Sequence, residues 1–326
     1  MDPITTNQTY NIGPSGHYPT MQAALDDLGY IPVANDVTIT LRWQAGHVPT
    51  TGIRLIGGDY SHFVISHATA SSGTDANGIP LPQITLNSSW PSNTPVMYGE
   101  RAALPVWNVL LNMNGRGARG IEAVEGSTVS VAPGKGILRA TATVDTAGLY
   151  MASGTIGVAR EAIFAYCGRG LWITRASALD AEKTNCDRCL SIGVYASRAS
   201  NVAFADGKAR YITTGTGGSG CGVVANRAFI AANTDSGLCD VSNCSRGFVS
   251  EYGGTVDASE SAGKNCLIRG VSAESGHVVC ETTDCSGSAV GFYVSRGGTI
   301  ARYAGAGSNS QARNSVTANG VIYSNV

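Results

Sequence analysis

Two glutamates, Glu251 and Glu274, have the type and spacing of a carboxylate pair that can cleave a glycosidic bond. Each lies four residues after a glycine that begins a predicted strand, Gly247 and Gly270. If these strands are neighbours in one parallel sheet, the two carboxylates lie about 5 Å apart, as in retaining glycosidases. Two like charges at that distance raise one pKa, which gives an acid and a base. The alternative is that both side chains turn into water or pair with arginines.

Two further columns of side chains are candidates for substrate binding. An aromatic column lies two residues after successive glycines, and an arginine ladder lies five residues after them. The aromatic column is Tyr150, Trp172 and Tyr195, and the arginine ladder is Arg175, Arg198 and Arg227. Aromatic rings stack on sugars and also anchor protein interfaces, so the column suits either a glycan or a subunit seam. Stacked arginines need compensation from an acidic polysaccharide or a neighbouring subunit's carboxylate, unless they are simply solvated corners.

These residues align in columns only if the second half of the chain is a structural repeat. Seven segments begin with glycine and an apolar residue, at spacings of 22, 23, 29, 25, 23 and 21 residues: Gly148, Gly170, Gly193, Gly222, Gly247, Gly270 and Gly291. Counted from each glycine, position +1 is apolar and position +3 is apolar or small, so positions +2 and +4 point outward from a strand. A second apolar point follows at +8 or +9. Short strands at this period without helices predict an all-β parallel β-helix, a solenoid.

The composition agrees with a solenoid and argues against several other classes. Glycine supplies 42 of 326 residues, and only 14% of the residues are charged. The low charge and 43% apolar content argue against disorder. No apolar run is long enough to span a membrane, so we expect no membrane insertion. The net charge of −1 gives no general attraction to nucleic acid, so we expect no nucleic-acid partner.

The nine cysteines are interpreted as buried thiols. Their number is odd and the start Met1-Asp2-Pro3 is unlike a signal peptide, so we expect no disulfide framework. Cys186 and Cys189 have the spacing of half a zinc site, but Cys239 and Cys244 have a poor spacing for the other half. Four cysteines instead follow Asn or Asp in the repeat: Cys186, Cys244, Cys266 and Cys285. We therefore expect packed thiols, no metal and no cofactor.

The first third of the chain is predicted to begin the solenoid. Residues 19–28 form the one convincing helix, and we expect it to cap the open end of the core. Strands are predicted at 37–41, 53–56, 63–66, 84–86 and 107–113, with long loops at 67–82 and 88–105. The predicted segments are an N-terminal attachment segment with the capping helix, irregular first coils, and regular coils, at residues 1–29, 30–118 and 119–326.

One stretch of this region carries a resemblance to a known family. The sequence Asn11-Ile-Gly-Pro-Ser-Gly-His-Tyr-Pro-Thr-Met-Gln-Ala-Ala-Leu25, followed by a Thr-Ile-Thr-Leu strand and Ala-Gly, resembles the opening of pectin-lyase-like β-helix proteins. The closest resemblance is to bacteriophage tail-spike and tail-fibre proteins. It implies a right-handed parallel β-helix that forms a homotrimer in the virion tail. It also implies contact with other tail or baseplate proteins through the N-terminal segment, and binding of host cell-surface polysaccharide.

The resemblance does not decide whether the chain cleaves its ligand. Many tail spikes cleave polysaccharide with Asp or Glu, but no catalytic motif of the family can be placed on this sequence. Of the five histidines only His277 lies near the glutamate pair. We therefore expect a receptor-binding or structural tail protein, made in the host cytoplasm without a signal peptide. A polysaccharide depolymerase, either hydrolase or lyase, is the alternative. A bacterial adhesin is a third possibility. It is expected to carry a signal peptide and a membrane anchor, and because the sequence shows no such pattern we do not favour it.

Overall fold

The chain winds into an all-β parallel solenoid of about 11 turns. The computed structural model describes residues 2–70, 72–117, 119–140, 146–212, 220–233, 238–303, 313–317 and 319–324. Every strand pair in the sheets is parallel, as expected when each coil stacks on the preceding one. The predicted β-helix is therefore confirmed at the level of its architecture.

The elements are short, and one helix is present among the described residues. In chain order they are β1 (Gln8–Ile12), α1 (Met21–Leu28), β2 (Ile39–Trp43), β3 (Ile53–Ile56), β4 (Phe63–His67), β5 (Ile84–Thr85), β6 (Met97–Glu100), β7 (Val106–Trp107), β8 (Leu110–Asn112), β9 (Arg119–Val124), β10 (Thr128–Ser130), β11 (Gly136–Leu138), β12 (Ala147–Ala152), β13 (Ile156–Val158), β14 (Arg169–Ile173), β15 (Ala178–Asp180), β16 (Ile192–Ser197), β17 (Asn201–Ala203), β18 (Cys221–Asn226), β19 (Phe229–Ala231), β20 (Cys239–Asp240), β21 (Arg246–Glu251), β22 (Thr255–Asp257), β23 (Ser261–Ala262), β24 (Arg269–Glu274), β25 (His277–Glu281), β26 (Val290–Ser295), β27 (Thr299–Tyr303), β28 (Arg313–Val316) and β29 (Val321–Ser324).

The coils stack into long sheets that run along the solenoid. The largest has eleven strands in the order β28-β26-β24-β21-β18-β16-β14-β12-β9-β6-β3, and the second has nine in the order β10-β13-β15-β17-β19-β22-β25-β27-β29. Smaller sheets are β1-β2-β4-β7, β11-β8-β5 and β20-β23. Because neighbouring strands are parallel and in register, equivalent residues of successive coils form columns about 4.8 Å apart.

Eight strands of the eleven-stranded sheet carry a glycine as their second residue, and close packing between coils requires it in most of them. A Cβ on any of six successive column glycines would lie within 3.1 Å of the carbonyl oxygen of the next: Gly120, Gly148, Gly170, Gly193, Gly222 and Gly247. At Gly170 the Cβ would also lie 2.8 Å from Cys186 Cβ and Sγ in the core. A side chain at these positions would therefore push the coils apart.

The N-terminal helix packs its predicted apolar face against the core. Met21, Ala24, Leu25 and Leu28 are all buried, as the sequence predicts. The helix begins later than expected, because the Thr20 side chain accepts a hydrogen bond from Ala23 N at 3.1 Å and forms the N-cap. Pro19 therefore precedes the helix. Gln22 Oε1 also accepts a hydrogen bond from Arg54 N, at 2.7 Å, on the edge strand β3.

Several predicted boundaries in the first coils are wrong. The predicted strand 107–113 is two strands, β7 and β8, because the chain turns a corner at Asn108 and Val109 and joins two different sheets. The predicted loop 88–105 contains β6, which pairs with β3 and β9. Strand β1 was not predicted. The division into segments 1–29, 30–118 and 119–326 stays a prediction, and Met1, Ala118 and Val326 lie outside the described residues.

All nine cysteines are buried free thiols, as predicted. Burial raises the pKa of Cys167 to about 12 and that of Cys266 to about 11, so these thiols stay protonated at neutral pH. Cys189 Sγ donates to Phe164 O at 3.3 Å, and Cys244 Sγ donates to Ala209 O at 3.2 Å. The thiols therefore act as small core side chains that also satisfy backbone carbonyls.

The glycine column gives a direct test of the stacking. Gly170→Ala places a methyl group against Gly193 O and Cys186, and we expect it to lower the free energy of unfolding by about 1–3 kcal/mol. Gly154→Asn is the control, because Gly154 has φ +78° and no atom within 4 Å of the Cβ position, and asparagine tolerates this conformation. Denaturant unfolding measures both. Equal stability of Gly170→Ala and the wild type would contradict the close packing.

Candidate ligand-binding groove

The six predicted substrate-binding residues line one groove on the outside of the eleven-stranded sheet. The groove has a volume of about 560 Å³. Its walls are Tyr150, Arg169, Trp172, Thr174, Arg175, Tyr195, Ser197, Arg198, Asn226, Arg227 and Tyr252. The sequence therefore placed both columns on one surface, and the structure adds Arg169, the polar floor and Tyr252.

Strand register positions the aromatic column. Tyr150 on β12 pairs with Trp172 on β14, which pairs with Tyr195 on β16. Adjacent rings meet edge to face, with interplanar angles of 81° and 72°. This arrangement is favourable for aromatic rings.

The predicted exposure of the aromatic column is wrong. Tyr150 is only 8% exposed, and Trp172 and Tyr195 are half-buried. Arginine side chains cover the rings, with Arg119 Cζ 3.7 Å from the centre of Tyr150 and Arg169 Cζ 4.0 Å from the centre of Trp172. Arg169 Cζ also lies 4.8 Å from the centre of Tyr195. The rings therefore hold arginines in place by cation–π contact and present little free face for stacking on a ligand.

The covering arginines were missed because the alternation of the strand breaks at the glycine. Arg119, Arg169, Arg246 and Arg269 each lie one residue before a column glycine, and strict alternation from position +1 would point them inward. In β14 the burial runs half-buried, buried, buried, half-buried, buried, so the glycine and the residue after it both face the core. The residue before the glycine therefore points outward beside position +2. Four arginines at one offset were the signal in the sequence.

The arginine ladder lies at the corner after each strand. Its backbone carbonyls accept hydrogen bonds from the preceding coil: Gly154 N donates to Arg175 O at 3.0 Å, Ala176 N to Arg198 O at 2.9 Å, and Ala199 N to Arg227 O at 2.6 Å. These equivalent bonds hold the three corners in register, and the three side chains are exposed.

The corner after each strand is left-handed, a conformation that glycine and asparagine adopt most readily. Position +5 has φ between 51° and 60° in seven successive coils, and none of the seven residues is glycine or asparagine: Ser153, Arg175, Arg198, Arg227, Tyr252, Ser275 and Arg296. A left-handed conformation costs about 1 kcal/mol or more for such a residue. Stacking of the coils imposes it, because the corner hydrogen bonds require this turn.

The ladder arginines lack acidic partners within the described part of the chain. None of Arg175, Arg198 and Arg227 forms an ion pair there. Two unit charges 4 Å apart repel by about 1 kcal/mol in water. A bound anion would relieve this repulsion between stacked guanidinium groups.

The two candidate catalytic glutamates lie beside the groove and not in its wall. Both approach one guanidinium, with Arg246 Nη1 3.6 Å from Glu251 Oε1 and 3.5 Å from Glu274 Oε1. Arg269 Nη1 also contacts Glu274 Oε1. Glu251 on β21 is the register partner of the groove residue Asn226 on β18, and the groove residue Tyr252 follows it directly. The sequence allowed these side chains either to turn into water or to pair with arginines, and in the structure they pair with arginines.

The pKa of Glu251 is raised. Burial raises its pKa above the ordinary range, the negative charge of Glu274 raises it further, and Arg246 opposes both. A carboxyl with a raised pKa holds its proton to higher pH and can serve as a general acid.

Two further observations concern metal binding and membrane spans. Within the described ranges, no cluster of three histidine, cysteine or acidic residues is arranged to hold a metal ion. Of the helical segments that the structure describes, none has the length and hydropathy needed to cross a bilayer.

No protein-family model matches the chain, and none of the curated proteins is significantly similar to it.

Proposed function

We propose that the protein is a phage tail-spike or tail-fibre protein that binds host cell-surface polysaccharide in the arginine-lined groove. The observation that carries this proposal is the convergence of the aromatic column and the arginine ladder on one groove of about 560 Å³. The resemblance of residues 11–25 to the opening of tail-spike proteins gives the biological setting, at the virion tail.

The groove has the chemistry that a polysaccharide needs. Its floor carries hydroxyl and amide groups from Thr174, Ser197 and Asn226, which can exchange hydrogen bonds with sugar hydroxyls. Ser197 Oγ donates to Thr174 Oγ1 at 2.8 Å, so the floor is already ordered. A surface built on a stacked sheet holds its donors in place before the ligand arrives, which lowers the entropic cost of binding.

The remaining features of the proposal concern assembly. We propose a right-handed coil whose first turn is capped by helix α1. The cap is supported by Gln22 on α1, whose side chain accepts a hydrogen bond from the backbone amide of Arg54 on the edge strand β3. The N-terminal segment would join the chain to other tail or baseplate proteins. A homotrimer is supported by exposed apolar side chains on the nine-stranded sheet, where Ile156 is 61% exposed and Phe229 is 41% exposed.

The binding proposal predicts a specific effect of Trp172→Leu. This change removes the ring that holds Arg169, and we expect it to weaken polysaccharide binding by about 5- to 30-fold, the effect of losing about 1–2 kcal/mol of cation–π contact. The assay measures retention on an array of purified bacterial capsular polysaccharides and lipopolysaccharide O-chains, both acidic and neutral.

Tyr293→Leu is the matched control for Trp172→Leu. Tyr293 occupies the same offset from its glycine and carries Arg269 Cζ 3.4 Å from its ring centre, but it does not line the groove. We expect its binding to be unchanged. Equal loss in the two variants, or wild-type protein that retains no polysaccharide on the array, would defeat the proposal.

A depolymerase is the second candidate, because Glu251 has a raised pKa and lies next to the groove residue Tyr252. If Glu251 is the acid, Glu251→Gln with Glu274→Gln abolishes the clearing of a capsule by purified protein in a halo assay. The wild-type activity then falls as the pH rises through the raised pKa, because the acid form is lost. Unchanged clearing by the double variant removes this pair from the reaction.

The proposed homotrimer is tested by mass. Light scattering at micromolar concentration is expected to give three times the chain mass of 33.5 kDa. A monomer would refute the trimer and leave the binding proposal intact.

A further inference from the structure

The groove is positively charged, and the part of its wall that the structure describes contains no acidic residue. Four of its eleven lining side chains are arginines, Arg169, Arg175, Arg198 and Arg227, and none is Asp or Glu. This balance is unlike that of the chain, whose formal net charge is −1. The groove is therefore locally positive on a chain whose charges nearly balance.

Three arginines elsewhere on the same sheet, Arg119, Arg246 and Arg269, contact glutamates. Arg119 pairs with Glu122, and Arg246 approaches Glu251 and Glu274. The ladder arginines lack such partners in the described ranges, although the coils that carry them are built in the same way. Among the residues that the structure describes, the ladder therefore lacks an anionic partner.

The corner itself does not require arginine. Other coils place serine at the same left-handed position, at Ser153 and Ser275. The backbone carbonyls of the ladder are fixed by hydrogen bonds from the preceding coil, so the three side chains leave the surface at one-coil intervals of about 4.8 Å. A chain molecule lying along the solenoid would meet one guanidinium at each coil.

We propose, on the basis of the polysaccharide-binding function above, that the ligand is an anionic polysaccharide that lies along the solenoid axis. Its carboxylate or phosphate groups are held by the guanidinium groups of Arg175, Arg198 and Arg227. Both kinds of oxyanion match the planar fork of arginine. A single-stranded nucleic acid fits less well, because it needs free ring faces for its bases, and Arg119 and Arg169 cover the rings of Tyr150 and Trp172.

The test removes the negative charge from the ligand. The probe is an acidic polysaccharide retained on the array described above, compared with the same polymer after carboxyl reduction and, separately, after removal of phosphate with hydrofluoric acid. We expect at least one treatment to weaken binding about 10- to 100-fold, and the effective treatment identifies the anion. Rising salt weakens binding of the untreated polymer only.

The matched protein variant is the triple substitution Arg175→Gly, Arg198→Gly and Arg227→Gly. Glycine suits the left-handed corner, so we expect the fold to be kept and the thermal midpoint to be equal or higher. The variant is expected to bind the untreated polymer as weakly as wild-type protein binds the neutralised one. Arg296→Gly, at the same corner position with φ 53° but outside the groove, is expected to leave binding unchanged.

The outcomes separate this inference from the function on which it rests. A wild-type protein that retains no polysaccharide refutes the proposed function. If the protein retains only neutral polymers, the inference of an anionic ligand is refuted and the polysaccharide-binding function stands. The same holds if neither treatment nor the triple variant weakens retention. Tighter binding of single-stranded poly(dT) than of any polysaccharide also refutes it. A triple variant whose mass falls to one chain would place the ladder against a neighbouring subunit and overturn the assignment.

Discussion

Close stacking of coils at the glycine column is the constraint on which the structure depends. The carbonyl oxygen of one column glycine lies within 3.1 Å of the position that a Cβ on the preceding one would occupy, so the coils approach too closely for a side chain there. Parallel hydrogen bonds then hold each coil in register with the next. Without that register, residues that are 21–29 positions apart in the chain would not form columns.

Register converts single residues into surfaces with distinct roles. On one sheet, arginines before the glycine lie over aromatic rings or against glutamates, whereas arginines at the corner face solvent in a left-handed conformation. The first set is held by partners within the chain, and the corner set is held by its backbone. The groove lies where these columns meet, so its charge follows from the repeat and needs no special loop.

The sequence predicts the repeat well because glycine, the apolar residue after it and the small residue two further on recur together. It also predicts which residues share a column, since Tyr150, Trp172 and Tyr195 do pair in register. It does not predict their exposure, because simple alternation ignores the break at the glycine. Strand β6 was missed because its sequence, Met97–Glu100, is too short to show a pattern between long loops. The left-handed arginines could not be anticipated either, since the corner geometry comes from contacts between coils.

The most direct measurement of the central claim is an experimental structure of the protein with a bound acidic oligosaccharide. The account predicts density for an extended sugar chain parallel to the solenoid axis, with acid groups against Arg175, Arg198 and Arg227. An oligosaccharide bound elsewhere, or a groove filled by a segment of a neighbouring subunit, would contradict it.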